Sequence, residues 1–178
     1  MGHAEAQAAR GRGFTIIEGL VCLALTALLA TWAAPGAGRW LGDWQTRQAT
    51  GALRESLDLA RIHALGASAP ATVCASADGL DCQSGKEADW AAGWIVFLDH
   101  DGDGRRDGDE PLLHARGPTM GVARITPSAS GLQRLVFLPN GQLNSTPASL
   151  RFVATHADVP VRRLVLNRVG RAREVVER

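Results

Sequence analysis

Charge of one sign is missing from this sequence: 19 basic residues stand against 18 acidic ones in 178. The chain as a whole is therefore neither a polycation nor an acidic tail. Lysine is almost missing too, Lys86 being the only one, so the basic charge is arginine. Cysteines number three, and no second Cys/His pair with ligand spacing accompanies Cys74 and Cys82, which disfavours zinc. No serine sits in a nucleophile elbow and no glycine-rich phosphate loop follows a strand. The five histidines (His3, His63, His100, His114 and His156) are scattered. These gaps argue against an enzyme. Internal repeats and low-complexity tracts are absent as well, so the length fits one domain plus an extra segment.

The extra segment is at the start. Residues 1–13 are short and polar, with Arg10 and Arg12 just before Gly13. From Phe14 to Ala34 the chain is an apolar run of 21 residues, FTIIEGLVCLALTALLATWAA. As a helix it would extend roughly 31 Å at about 1.5 Å per residue, near the hydrocarbon thickness of a bilayer. The basic flank keeps residues 1–13 on the cytoplasmic side. Cys22 lies inside the run and behaves as a small hydrophobe. Glu18 is the exception in it. A carboxylate inside a membrane segment is costly, so it marks a partner or a function. A cleavable secretory signal fits less well, because its apolar core is usually shorter and carries no acid.

Pro35-Gly36 closes the run, where proline removes a backbone donor and a kink is expected. Trp32, Trp40 and Trp44 bracket that point and suit the headgroup level. Beyond it Ala49, Leu53, Leu57, Ala60 and Ala64 recur at helical spacing. That is the apolar stripe of a helix whose other faces carry Arg47, Arg54, Glu55, Asp58 and Arg61.

From Ser68 onward short apolar runs alternate with Gly, Pro, Asn and Asp. Strands are expected at 71–75, 94–98, 112–115, 122–126, 135–138, 150–154, 163–167 and 173–176. Turn signals such as Pro139-Asn140-Gly141 separate them. One amphipathic helix followed by antiparallel strands is an α+β plan. Cys74 and Cys82, with seven residues between them, are spaced for a disulfide closed by a hairpin or short loop. A disulfide implies an oxidising compartment.

Two charged segments are candidate sites. Asp99-His100-Asp101-Gly102-Asp103-Gly104-Arg105-Arg106-Asp107-Gly108-Asp109-Glu110 fits a twelve-residue calcium loop. Asp99, Asp101, Asp103, Asp107 and Glu110 stand at the ligand positions, with Gly104 at the sixth. Strands rather than helices flank it, Arg105 and Arg106 offer internal neutralisation, and Asp and Gly are also what a plain turn demands. Calcium and a solvated turn both remain open; no other cofactor is implied. The second segment is the end of the chain. From Arg151 to Arg178 seven arginines face Asp158, Glu174 and Glu177, a local excess of 7 − 3 = +4. Such an excess meets an anion or forms a solvated face.

At Gly13, Phe14-Thr15-Ile16-Ile17-Glu18 and the apolar run behind them, the sequence resembles the type IV prepilin family. The resemblance implies cleavage after Gly13 by prepilin peptidase and methylation of the new amine on Phe14. It also implies that Glu18 pairs with the terminal ammonium of a neighbouring subunit. Further landmarks follow in order: Thr72-Val73-Cys74, Cys82, Trp90 to Phe97, the acidic turn, Phe137-Leu138-Pro139-Asn140-Gly141, and Gly170-Arg171. They are similar to the GspH/FimT branch of the pilin superfamily over essentially all of the chain after Gly13. The fold implied is a long N-terminal helix, half membrane-spanning and half amphipathic, packed on an antiparallel β-sheet domain. The organisation implied is leader 1–13, membrane and filament-core helix 14–34, amphipathic half 35–67, and periplasmic domain 68–178. Such a chain is a single-pass inner-membrane protein built into a filament with other pilins.

Gly170-Arg171-Ala172-Arg173 matches a Gly-Arg-x-Arg pattern that FimT-like minor pilins associate with DNA binding. Residues two apart on a strand share a face, so Arg171 and Arg173 can each grip a phosphate. Arg168, and Arg162 or Arg163, would extend the patch. The resemblance thus implies a minor pilin that binds DNA without sequence preference for uptake in natural transformation. A GspH-like minor pseudopilin of a type II secretion system is the alternative. The plain alternative for the motif is a terminal turn whose arginines pair with Glu174, Glu177 or neighbouring subunits.

Overall fold

The computed structural model describes residues 14–84, 88–128, 132–144 and 148–177, and of 32–35 the backbone alone. The expected cleavage site at Gly13 and the side chains of Trp32 and Pro35 lie outside the described residues. The chain separates into two compact units, Met1–Ala37 and Gly38–Arg178.

Helix α1 covers Ile16–Ala67. Its start is specified locally: the Thr15 hydroxyl accepts from the Glu18 amide at 3.3 Å, the Ser/Thr-x-x-Glu arrangement that opens many helices. In the first unit the apolar side chains stand uncovered, with Phe14 77%, Ile16 87%, Leu23 67% and Leu29 68% exposed. Thr26 and Thr31 turn their hydroxyls back to the carbonyls of Leu23 and Leu28, which satisfies them without water. Taken separately, neither Ile16–Thr31 nor Gly36–Ala67 is long and apolar enough to cross a membrane; only together do they meet that requirement.

In the second unit the helix buries its stripe completely. Ala49, Leu53, Leu57, Ala60 and Ala64 are all at 3% exposure or less, and each buried Leu contributes about 2 kcal/mol. Buried Thr46, Thr50 and Ser56 are satisfied by the carbonyls one turn back, and the Ser56 hydroxyl also accepts from the Trp94 indole at 2.9 Å. The helix stops where Ser68 adopts a left-handed conformation, φ 52°, two residues before Pro70.

Eight strands follow: β1 (Ala71–Ala75), β2 (Trp94–Leu98), β3 (Leu112–Arg116), β4 (Val122–Pro127), β5 (Arg134–Phe137), β6 (Ala148–Ala154), β7 (Val161–Leu166) and β8 (Ala172–Glu177). They form two antiparallel four-stranded sheets, ordered β3-β2-β1-β5 and β4-β6-β7-β8. All eight expected strands exist, with ends moved by up to two residues. One core unites the helix stripe with Val73, Trp94, Leu135 and Phe137 of the first sheet and Leu150, Phe152, Leu164 and Leu166 of the second. Central strand β1 is buried on both faces. On the sheet's outer face Cys74 clusters with Ile95 and Phe97 of β2, and Cys82 packs against them, so the Cys74–Cys82 disulfide pins a loop over that face. Asp78 shapes the same loop by accepting from the amides of Leu80 and Asp81 and from the Ser76 hydroxyl. Those bonds, the Leu80 amide first, hold its carboxyl below the usual carboxylate range.

Candidate nucleic-acid interface

The arginines of the C-terminal hairpin divide by strand phase. On β7, Leu164 and Leu166 point into the core, and period-two alternation puts Arg162 on that same inner face. Arg162 is 5% exposed. Its guanidinium meets Asp43 of α1 at 2.6 Å and also pairs with Glu174 of β8. It therefore clamps helix to sheet and does not extend a surface patch, contrary to the sequence expectation. Burial alone would depress this guanidinium, but bonds to Asp43 and then Glu174 outweigh it and raise its pKa. The same contact with Arg162 holds Asp43 below its usual value.

Arg163 points the other way. It lies opposite Arg151 and Val175 in the sheet, and both Arg163 and Arg151 bind the Glu177 carboxylate. Arg163 is thus on the outer face but held. Arg168, Arg171 and Arg173 are exposed, and among the described residues none has an ion-pair partner. Arg173 sits opposite Val165 on edge strand β8, on the same outer face as Arg163.

The turn that presents them is rigidly specified. The Asn167 side chain accepts from the Arg171 amide at 2.9 Å, and the Gly170 amide donates to the Asn167 carbonyl at 3.0 Å. Gly170 has φ +76°, and a Cβ there would stand 2.9 Å from Phe137 and 3.0 Å from the Gly141 carbonyl. Only glycine fits both the conformation and the space. The Leu143 amide also donates to the Arg168 carbonyl at 2.9 Å. The Phe137–Gly141 and Gly170-Arg171 landmarks, far apart in sequence, are therefore one contact that seats the arginine turn.

The acidic loop gathers only part of its predicted ligand set. Asp99, Asp101 and Asp103 offer carboxylate oxygens within 4.8 Å of one another. Asp107 is exposed and outside that group. Glu110 is buried and spends its oxygens on the loop backbone, accepting from the amides of His100 at 2.7 Å and Asp107 at 3.2 Å. In the first unit the Glu18 side chain is exposed, and of the two tryptophans with described side chains near Pro35, Trp40 is 71% and Trp44 49% exposed.

The Arg162–Asp43 clamp is the functional element that sequence reasoning missed. The alternation Arg162, Leu164, Leu166 was the available signal, but apolar Val161 and Val165 blur its phase. The acidic partner, 119 residues away, has no local signature.

A search of curated proteins by sequence finds no match. The structure is similar to the type IV minor pilin FimU of Pseudomonas aeruginosa, with TM-score 0.55 and 18% identity, covering 74% of this chain and 87% of that one. It is also similar to EpsH, a minor pseudopilin from the type 2 secretion system of Vibrio cholerae, with TM-score 0.52 and 12% identity, covering 74% and 97%. The fold is therefore that of type IV pilin-like proteins, a long N-terminal helix packed on antiparallel sheets. Residues 49–170 match the sequence profile of the family described as type II transport protein GspH, and the chain belongs to that family.

Proposed function

We propose that this chain is a minor pilin, a filament subunit that displays an arginine cluster to DNA. Prepilin peptidase cuts after Gly13, Phe14 is methylated, and the uncovered apolar helix lies first in the inner membrane and then among other pilins. There the exposed Glu18 carboxylate meets the terminal ammonium of a neighbour. The domain after Ala67 stands in the periplasm, where the Cys74–Cys82 disulfide persists. This role is structural and binding, with no catalytic step.

One observation carries the DNA reading. The acids that would silence the arginine turn are already engaged: Glu174 by Arg162, and Glu177 by Arg151 and Arg163. Arg168, Arg171 and Arg173 are left available to phosphates, which guanidinium groups bind with paired donors. Contacts of this kind are independent of sequence and fall steeply with salt. Repetition along a filament raises their avidity.

The test is fluorescence anisotropy of a labelled DNA duplex with detergent-solubilised full chain at low salt. Wild type is expected to bind, and Arg171→Ala/Arg173→Ala to bind at least tenfold more weakly. Absence of wild-type binding would move the chain to a second reading, a minor pseudopilin of a type II secretion system. The family's description and the EpsH likeness favour that reading.

A further inference from the structure

The acidic loop carries an inference independent of the DNA reading. Asp99 is fully buried. One of its oxygens, Oδ2, is fixed from two sides, by the Thr72 hydroxyl at 2.7 Å and the Gly104 amide at 3.0 Å. The other, Oδ1, is equally buried and has no hydrogen-bond partner. A buried carboxylate oxygen to which no protein group donates calls for another partner, and a cation is one that a carboxylate accepts.

The surroundings supply the rest of a cation site. Asp101 and Asp103 each turn one oxygen into the loop, accepting from the amides of Asp103 and Arg105 at 3.1 and 2.6 Å. Each keeps its second oxygen for another partner. The neighbouring arginines do not neutralise the cluster. Arg134 donates to the Asp103 backbone carbonyl at 2.7 Å and Arg106 to the Leu80 carbonyl at 3.2 Å. Among the described residues no carboxylate of Asp99, Asp101 or Asp103 has an ion-pair partner. Three carboxylates within 4.8 Å of one another repel unless a divalent charge lies between them.

We propose that Asp99, Asp101 and Asp103 bind calcium, with the buried Oδ1 of Asp99 as the anchoring ligand. Oxygen-only donors select a hard cation, and an irregular set of one buried and two exposed carboxylates suits calcium better than magnesium, which demands near-ideal octahedral geometry. Through Thr72 the ion would tie the loop to β1, the strand that also carries Cys74.

Detergent-solubilised full chain, stripped of metal, is titrated calorimetrically with calcium chloride, and its Tm is read with and without the ion. Wild type is expected to bind with a Kd of about 10⁻⁴ to 10⁻³ M, the range of extracellular calcium modules, and to melt higher with calcium. Asp101→Asn/Asp103→Asn, both on exposed side chains, is expected to bind at least tenfold more weakly, while Asp107→Asn keeps wild-type affinity. The proposal is overturned by no heat and no Tm shift at 10 mM calcium, by unchanged affinity in the double variant, or by magnesium binding as tightly as calcium.

Discussion

The two ends of helix α1 share one secondary structure and have opposite fates. Between Phe14 and Leu29 its large apolar side chains are exposed, whereas between Ala49 and Ala64 every apolar residue of the stripe is buried under the sheets. Both are helical, but the first is an almost unbroken apolar run with one charge, Glu18, and the second is interspersed with charged residues such as Arg47, Arg54, Glu55, Asp58 and Arg61. What differs is pattern. The first segment is apolar all round, as lipid or neighbouring helices require, and the second is apolar on one stripe, as a sheet requires. The arginines divide in a parallel way: Arg162 is consumed inside the domain, while Arg168, Arg171 and Arg173 are left outward. In both cases the function proposed here uses what folding leaves unspent.

The largest effect expected from testing this contrast is on the buried stripe. Leu53→Asp should destabilise the domain by about 4 kcal/mol or more, since it buries an unpaired charge. Leu25→Asp, on the exposed segment, should leave the Tm of the domain unchanged and weaken membrane association instead. Thermal unfolding followed by near-ultraviolet circular dichroism, with a membrane flotation assay beside it, reads both. Equal loss of Tm in the two variants would break the contrast.

Next comes the clamp. Arg162→Ala strands Asp43 and Glu174, whose side chains are 24% and 34% exposed, and should cost about 3 kcal/mol in chemical unfolding. Cys74→Ser/Cys82→Ser opens a short loop and should cost about 2 kcal/mol. A smaller effect concerns acid. The Asp43 carboxyl sits below its usual value of 3.8 when folded, so its contribution is fully present above that value. It is lost as pH falls through the lower folded pKa. Unfolding curves between pH 5 and pH 2 should therefore show an acid-side loss that Asp43→Asn flattens. Smallest of all, Arg171→Ala/Arg173→Ala should change stability by less than about 0.5 kcal/mol, as expected for exposed residues.

Much of this architecture was legible in the sequence because it is written locally. Ala49, Leu53, Leu57, Ala60 and Ala64 announce a buried helix face by spacing alone. Each strand is a short apolar run between turn residues, and the Cys74–Cys82 disulfide was expected from spacing. The division into two sheets was not legible, since β1 pairs with β5 across some sixty residues and no local feature encodes that choice. For the same reason the sequence did not reveal Asp43 as the partner of Arg162, or that Gly170 packs on Phe137 and Gly141. In the acidic loop the spacing named five carboxylates. The structure brings three together, leaving Asp107 exposed outside the group and Glu110 turned inward to cap the loop backbone.

The availability of Arg171 and Arg173 is tested most directly by the salt dependence of DNA binding. The logarithm of the association constant is measured against the logarithm of salt concentration for wild type and for Arg171→Ala/Arg173→Ala. Each phosphate contact adds about 0.9 to the slope, so losing two arginines should flatten it by roughly 1.8. A flattening of that size would place both guanidinium groups on phosphates. Parallel lines for the two proteins would contradict the account and locate any DNA contact elsewhere on the domain.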